Sequence, residues 1–85
     1  MQVRMVIIPN DDGLNVLIWG KWAAGSMRVR HFENRTELAS VLVSLNLIRA
    51  KDASDLENFA FTDSCPLFSA ETEEEILEAH GFNLA

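Results

Sequence analysis

Apolar residues alternate through the first third of the chain and then switch to a spacing of three and four. Residues 2–8 form a β-branched and apolar run that stops at Pro9. Asn10-Asp11-Asp12-Gly13 follows as a turn, with Gly13 free to take a positive φ. Leu14 to Trp22 reads as a second strand, Ala23-Ala24-Gly25-Ser26 as a short turn, and Met27 to Phe32 as a third strand. The pattern predicts a three-stranded antiparallel β-meander over about 2–9, 14–22 and 27–32.

Closing the first turn with Ile8 opposite Asn15 sets Val6 against Leu17, Met5 against Ile18 and Arg4 against Trp19. Closing the second with Trp22 opposite Met27 sets Lys21 against Arg28, Trp19 against Arg30 and Ile18 against His31. Side chains alternate along a strand, so each face follows from the register. One face then holds Val3, Met5, Ile7, Val16, Ile18, Met27 and Val29, a core face. The other is mixed and holds Arg4, Val6, Ile8, Leu17, Trp19, Lys21, Arg28, Arg30 and Phe32.

Asn34 opens a helix predicted over about 35–46, with Glu37 where a capping box places it. Leu38, Val41, Leu42, Leu45 and Ile48 form its apolar stripe, and Asn46 is the expected stop. This stripe packs on the core face of the sheet. Residues 49–71 are less regular. Ser54-x-x-Glu57 suits a short helix carrying Leu56 and Phe59, Phe59 to Thr62 suits equally a short strand, and Asp63 to Ala70 reads as loop. Thr72-x-x-Glu75 is a second capping box, opening a short C-terminal helix over about 73–80 that Gly81 ends. Ile76, Leu77 and Phe82 are its apolar contacts; two turns do not hold in water, so it must dock. The expected fold class is α+β, in one small domain over residues 1–85.

Charge divides that domain. Arg4, Lys21, Arg28, Arg30, Arg35, Arg49 and Lys51 all lie in residues 1–51, against Asp11, Asp12, Glu33 and Glu37. Residues 52–85 carry Asp52, Asp55, Glu57, Asp63, Glu71, Glu73, Glu74, Glu75 and Glu78 and no base. A basic meander and helix, 1–51, is thus followed by an acidic segment, 52–85, with its own apolar anchors. The two attract, within one chain or between chains. The net charge of −6 argues against nucleic acid and anionic lipid as partners.

Hydrophobic residues make up 48% of a chain of only 85, more than so small a domain readily hides, which points to a homodimer or another protein partner. The single cysteine, Cys65, excludes an internal disulfide framework and suits a reducing, cytoplasmic setting. No signal peptide or membrane span is expected, because the run from Met5 to Ile8 is too short for either.

The densest chemistry is Arg4–Trp19–Arg30 on the mixed face, flanked by Lys21, Arg28 and Phe32: an indole between guanidinium groups. These six residues are the candidate partner-binding set. They suit a protein contact first and the stacking of single-stranded nucleic acid second. His31, on the apolar face, and Cys65 are the candidates for a small-ligand or enzymatic pocket, although neither has a polarising partner nearby in sequence. His80, in the last turn of the final helix, complements its dipole. Glu74 and Glu78 share a helical face, but no further ligand completes a metal site. No Gly-x-Gly-x-x-Gly, Walker loop, Gly-x-Ser-x-Gly or zinc-spaced Cys/His pair occurs, so no cofactor or metal is implied. The sequence therefore reads as a non-catalytic interaction or regulatory module that self-associates.

Overall fold

The first hairpin follows the alternation residue for residue. Strand β1 (Gln2–Asn10) pairs antiparallel with β2 (Gly13–Gly20), with Ile8 opposite Asn15, Val6 opposite Leu17 and Arg4 opposite Trp19. At the two-residue turn the Asp12 amide donates to Asn10 Oδ1 at 3.1 Å, and Gly13 takes φ 145°. A Cβ on Gly13 would lie 2.1 Å from the Phe32 carbonyl oxygen, so the close approach of the third strand leaves room for glycine alone. The computed structural model describes residues 1–21, 27–58 and 67–84. The elements after β2 are β3 (Arg28–Phe32), α1 (Arg35–Ser44), a 3₁₀ turn (Ala50–Asp52) leading into α2 (Ala53–Asn58), β4 (Leu67–Glu71), α3 (Glu74–Ala79) and β5 (Asn83–Leu84).

The fold is α+β. Its sheet has five antiparallel strands in the order β4-β1-β2-β3-β5, two more than the meander. β4 arises where a loop was expected. Leu-Phe-Ser-Ala-Glu has little strand signal of its own, and it forms by pairing with the free edge of β1. Among the described residues its ladder runs from Gln2 to Val6, and Pro9 lies beyond it, where a missing donor breaks no described bond to β4. β5 is two residues long, too short for any periodicity to announce it.

The second pairing departs from the expected register. Ile18, not Lys21, stands opposite Arg28, and Leu14 stands opposite Phe32. The shift is by three residues. Because it is odd, every β3 side chain changes face. Arg28 and Phe32 turn inward and are buried, while Met27 is exposed and His31 faces out on the other side. Burial decides the matter: the inward Phe32 ring brings far more apolar area out of water than Val29 would. Trp22, the expected end of the second strand, and the expected turn residues Ala23 to Ser26 lie outside the described residues.

Asn34 caps α1, its Oδ1 accepting from the Glu37 amide at 2.8 Å. The helix ends at Ser44, and Asn46 follows at φ 58°. Leu47 N–H donates to the Leu42 carbonyl and Asn46 N–H to that of Val43, the Schellman pattern. Helix α3 closes in the same way, with Gly81 at φ 82°, Phe82 donating to Leu77 and Gly81 to Glu78. In both, the residue after the left-handed position is buried: Leu47 beside Leu42, Phe82 beside Leu77. The second capping box does not form. Thr72 continues the β4 ladder, its amide donating to the Met1 carbonyl at 3.0 Å, and Glu73 precedes the helix without a side-chain cap. Ile76 is exposed rather than docked.

One core runs through the molecule, built from Val3, Met5, Ile7, Val16, Ile18 and Phe32 of the sheet, Leu38 and Leu42 of α1, Leu56 of α2, and Leu77 and Phe82 at the C-terminal end. The helices thus share one face of the sheet. The helical reading of Ser54 to Glu57 is realised in α2; residues 59–62 lie outside the described residues. Among the described residues no helix is long and apolar enough to cross a membrane.

Candidate interaction surface

On the helix-covered face the two charge halves meet. Arg28, 6% exposed, is held three ways: Nε lies 3.1 Å from Glu74 Oε2, Nη1 donates to the Phe82 carbonyl at 2.9 Å, and Nη2 lies 3.6 Å from Glu78 Oε2. Arg30 donates from Nη1 to the His80 carbonyl at 2.8 Å and reaches Glu37 at 3.5 Å. Its guanidinium lies 4.5 Å over the Phe32 ring. The His80 ring Nδ1 donates in turn to the Ile76 carbonyl at 2.8 Å, fastening the last turn of α3. At the other end of the same segment the Glu73 carboxylate hydrogen-bonds the Met1 amine at 2.8 Å and holds it above its ordinary value of 8.0. The attraction between halves is therefore met inside one chain at Arg28 and Met1, while Arg30 pairs with Glu37 of its own half and takes only a backbone carbonyl from the C-terminal segment.

Among the described residues no helix covers the opposite face, the open face of the sheet. Alternation from the buried Val3, Met5 and Ile7 places Gln2, Arg4, Val6 and Ile8 on it. Asn15, Leu17 and Trp19 join them from β2, and Val29 and His31 from β3. Val6 and Leu17 face each other at its centre, and Ile8 is 38% exposed. Toward one end Arg4 stands opposite Trp19 and, on its other side, opposite Ser69 of β4. Gln2, Arg4, Trp19, Lys21 and Ser69 line a depression of about 560 Å³ there. Among the described residues neither Arg4 nor Lys21 has an ion-pair partner.

The six residues singled out in the sequence therefore divide. Arg4, Trp19 and Lys21 share the open face; Arg28, Arg30 and Phe32 lie on the covered one. The expected indole between two guanidinium groups does not assemble, because the odd shift of β3 carries Arg30 to Phe32. Val29, assigned to the core, joins the open face instead. Phe32 carried the signal for this: a large aromatic just before a capped helix competes strongly for the inward side.

His31 is exposed on the open face, its Nδ1 2.8 Å from Asn15 Oδ1, and not on the apolar side. It does not line the depression beside Trp19, nor the hollow beneath Asn46 and Ile48. Cys65 lies outside the described residues. Among the described residues no three His, Cys, Asp or Glu side chains gather as metal ligands do. Compared with protein-family models, with curated proteins and with solved structures, the chain matches none.

Proposed function

We propose that this chain is a non-catalytic protein-interaction module that self-associates through the open face of its sheet, in a cytoplasmic setting that suits its single cysteine. One observation carries the reading: the middle of the outer face is a contiguous apolar row, Val6 opposite Leu17 and Leu17 opposite Val29, while the described helices cover only the other face. An antiparallel sheet that meets water on one side ordinarily turns polar residues outward there. Here Val6, Leu17, Trp19 and Val29 stand in those positions, with Ile8 beside them. Removing such a surface from water is favourable by about 25 cal/mol per Å². The helical layer has no further need of Arg28 and Arg30, which are already held by Glu74, Glu78 and Glu37.

That internal pairing also bears on the two other readings. A single-strand platform would keep Arg4 and Lys21 but lose Arg28 and Arg30, which leaves little on that face to neutralise phosphates on a chain of net charge −6. A pocket enzyme built on His31 would need it in a cavity with a polarising partner, and its described neighbour is the neutral Asn15; Cys65, the other candidate, lies outside the described residues.

Sedimentation velocity from 1 to 100 μM tests the proposal. The wild-type chain is expected to pass from monomer to dimer across that range. Leu17→Asp, which sets a carboxylate in the middle of the face, should raise the dissociation constant about 100-fold or more. Its far-UV circular dichroism should stay native, because Leu17 points away from the core. A wild-type chain that remains monomeric at 100 μM would overturn the reading.

A further inference from the structure

The open face is charged at both ends, with opposite signs. Arg4 and Lys21 stand at the end where β1 begins and β2 closes. Asp11 and Asp12 form the turn at the other end, and Glu33 follows β3 beside them, its Cα within 3.1 Å of where a Gly13 Cβ would lie. All three acids are exposed, and among the described residues none has an ion-pair partner. Glu71 stands at the cationic end but one strand out, opposite Gln2 on β4. Between the ends lies the apolar row of Val6 and Leu17.

Two copies of a sheet can meet face to face about a two-fold axis in only two aligned ways, since the axis must lie in the plane between them. An axis along the strands sets each end over the same end of the other copy: cation over cation and acid over acid. An axis across the strands reverses the second copy end for end. We infer that the dimer uses the axis across the strands, level with Val6 and Leu17, so that Arg4 and Lys21 of each copy meet Asp11, Asp12 and Glu33 of the other. This rests on self-association through the open face and adds its partner and its orientation. Lys21 lies about four residues to one side of that row and Asp11 about five to the other, roughly 13 and 17 Å at 3.3 Å per residue. Charges that far apart along the face line up only in the reversed arrangement. Like charges set opposite each other would oppose the alternative, and rim pairs of this kind select orientation more than they add affinity.

Charge reversal in two matched variants tests it, with sedimentation of each alone and of the two mixed. Arg4→Glu with Lys21→Glu should weaken self-association at least tenfold, and so should Asp11→Lys with Asp12→Lys. An equimolar mixture should recover association to within about threefold of wild type, because each end then meets its opposite again. The turn survives the second pair, since its hydrogen bond uses the Asp12 backbone amide and not its carboxylate. Charge variants that associate as wild type does, or a mixture no better than its components, would overturn the arrangement. If Leu17→Asp still abolished the dimer in that case, the face would stand and only the orientation would fall. A monomeric wild-type chain would overturn both.

Discussion

Phe82→Ala is expected to lower the stability of this chain by about 4 kcal/mol, the middle of the range for losing a fully buried phenylalanine. Three roles coincide at this residue. Its ring has no exposure, and its centroid lies 6.3 Å from that of Phe32 in a tilted pair. Its amide closes the Schellman pattern of α3 on Leu77, and its carbonyl accepts from Arg28. It also leads directly into β5, which has only two residues of its own to hold the sheet edge. A domain of 85 residues has roughly 4–13 kcal/mol in total, so the variant should lose between about a third and all of its stability. Equilibrium urea unfolding at 10 °C, followed by circular dichroism, would measure the loss. A change below about 1 kcal/mol would mean that the C-terminal residues do not pack beneath the sheet.

The second large effect is expected at Arg28, where Arg28→Ala should cost about 3 kcal/mol. The alanine abandons a buried carbonyl, uncouples Glu74 and strips an aliphatic stem from the core. Arg28→Met keeps most of the stem and should lose about half as much. Glu78→Gln should lose less than about 0.5 kcal/mol, because that carboxylate is 68% exposed and 3.6 Å away. High salt should change the Arg28 cost little, since a pair with the arginine buried is poorly screened. These variants also test the register of β3. Were Arg28 on the outer face, as the expected pairing of Lys21 with Arg28 required, Arg28→Ala would be close to neutral in urea unfolding.

How far the sequence could be read differs by element, and the reasons are physical. The first hairpin was legible because alternation and the Asn10–Gly13 turn are local and agree. So was α1, where Asn34 and the spacing of Leu38, Leu42 and Leu45 are local as well. The second pairing was not, because the partners that make an inward Arg28 tolerable, Glu74 and Glu78, lie 46 and 50 residues further along. Alternation alone favours Val29 inward; only the assembled helical layer reverses it. β4 and β5 are written in the free edges of β1 and β3 more than in their own residues. Of the candidate site, the half carried by the first hairpin assembled on the open face, and the half carried by β3 moved with its strand.

The charge division acquires a different meaning in this light. It does not ask for an outside partner, since Arg28, Arg30 and the Met1 amine already meet the C-terminal segment within the chain. Among the described residues, what lacks a partner is the apolar middle of the other face, and self-association there should depend on salt only through the rim charges.

The most direct test is the environment of Trp19 itself. In a Trp22→Phe variant Trp19 is the sole indole, and its emission reports whether the open face is covered. On dilution from 100 to 0.1 μM the emission should shift to the red and iodide quenching should rise, in step with the dissociation seen by sedimentation. Emission and quenching that stay constant across that thousandfold range would contradict the proposal that a second copy covers this face.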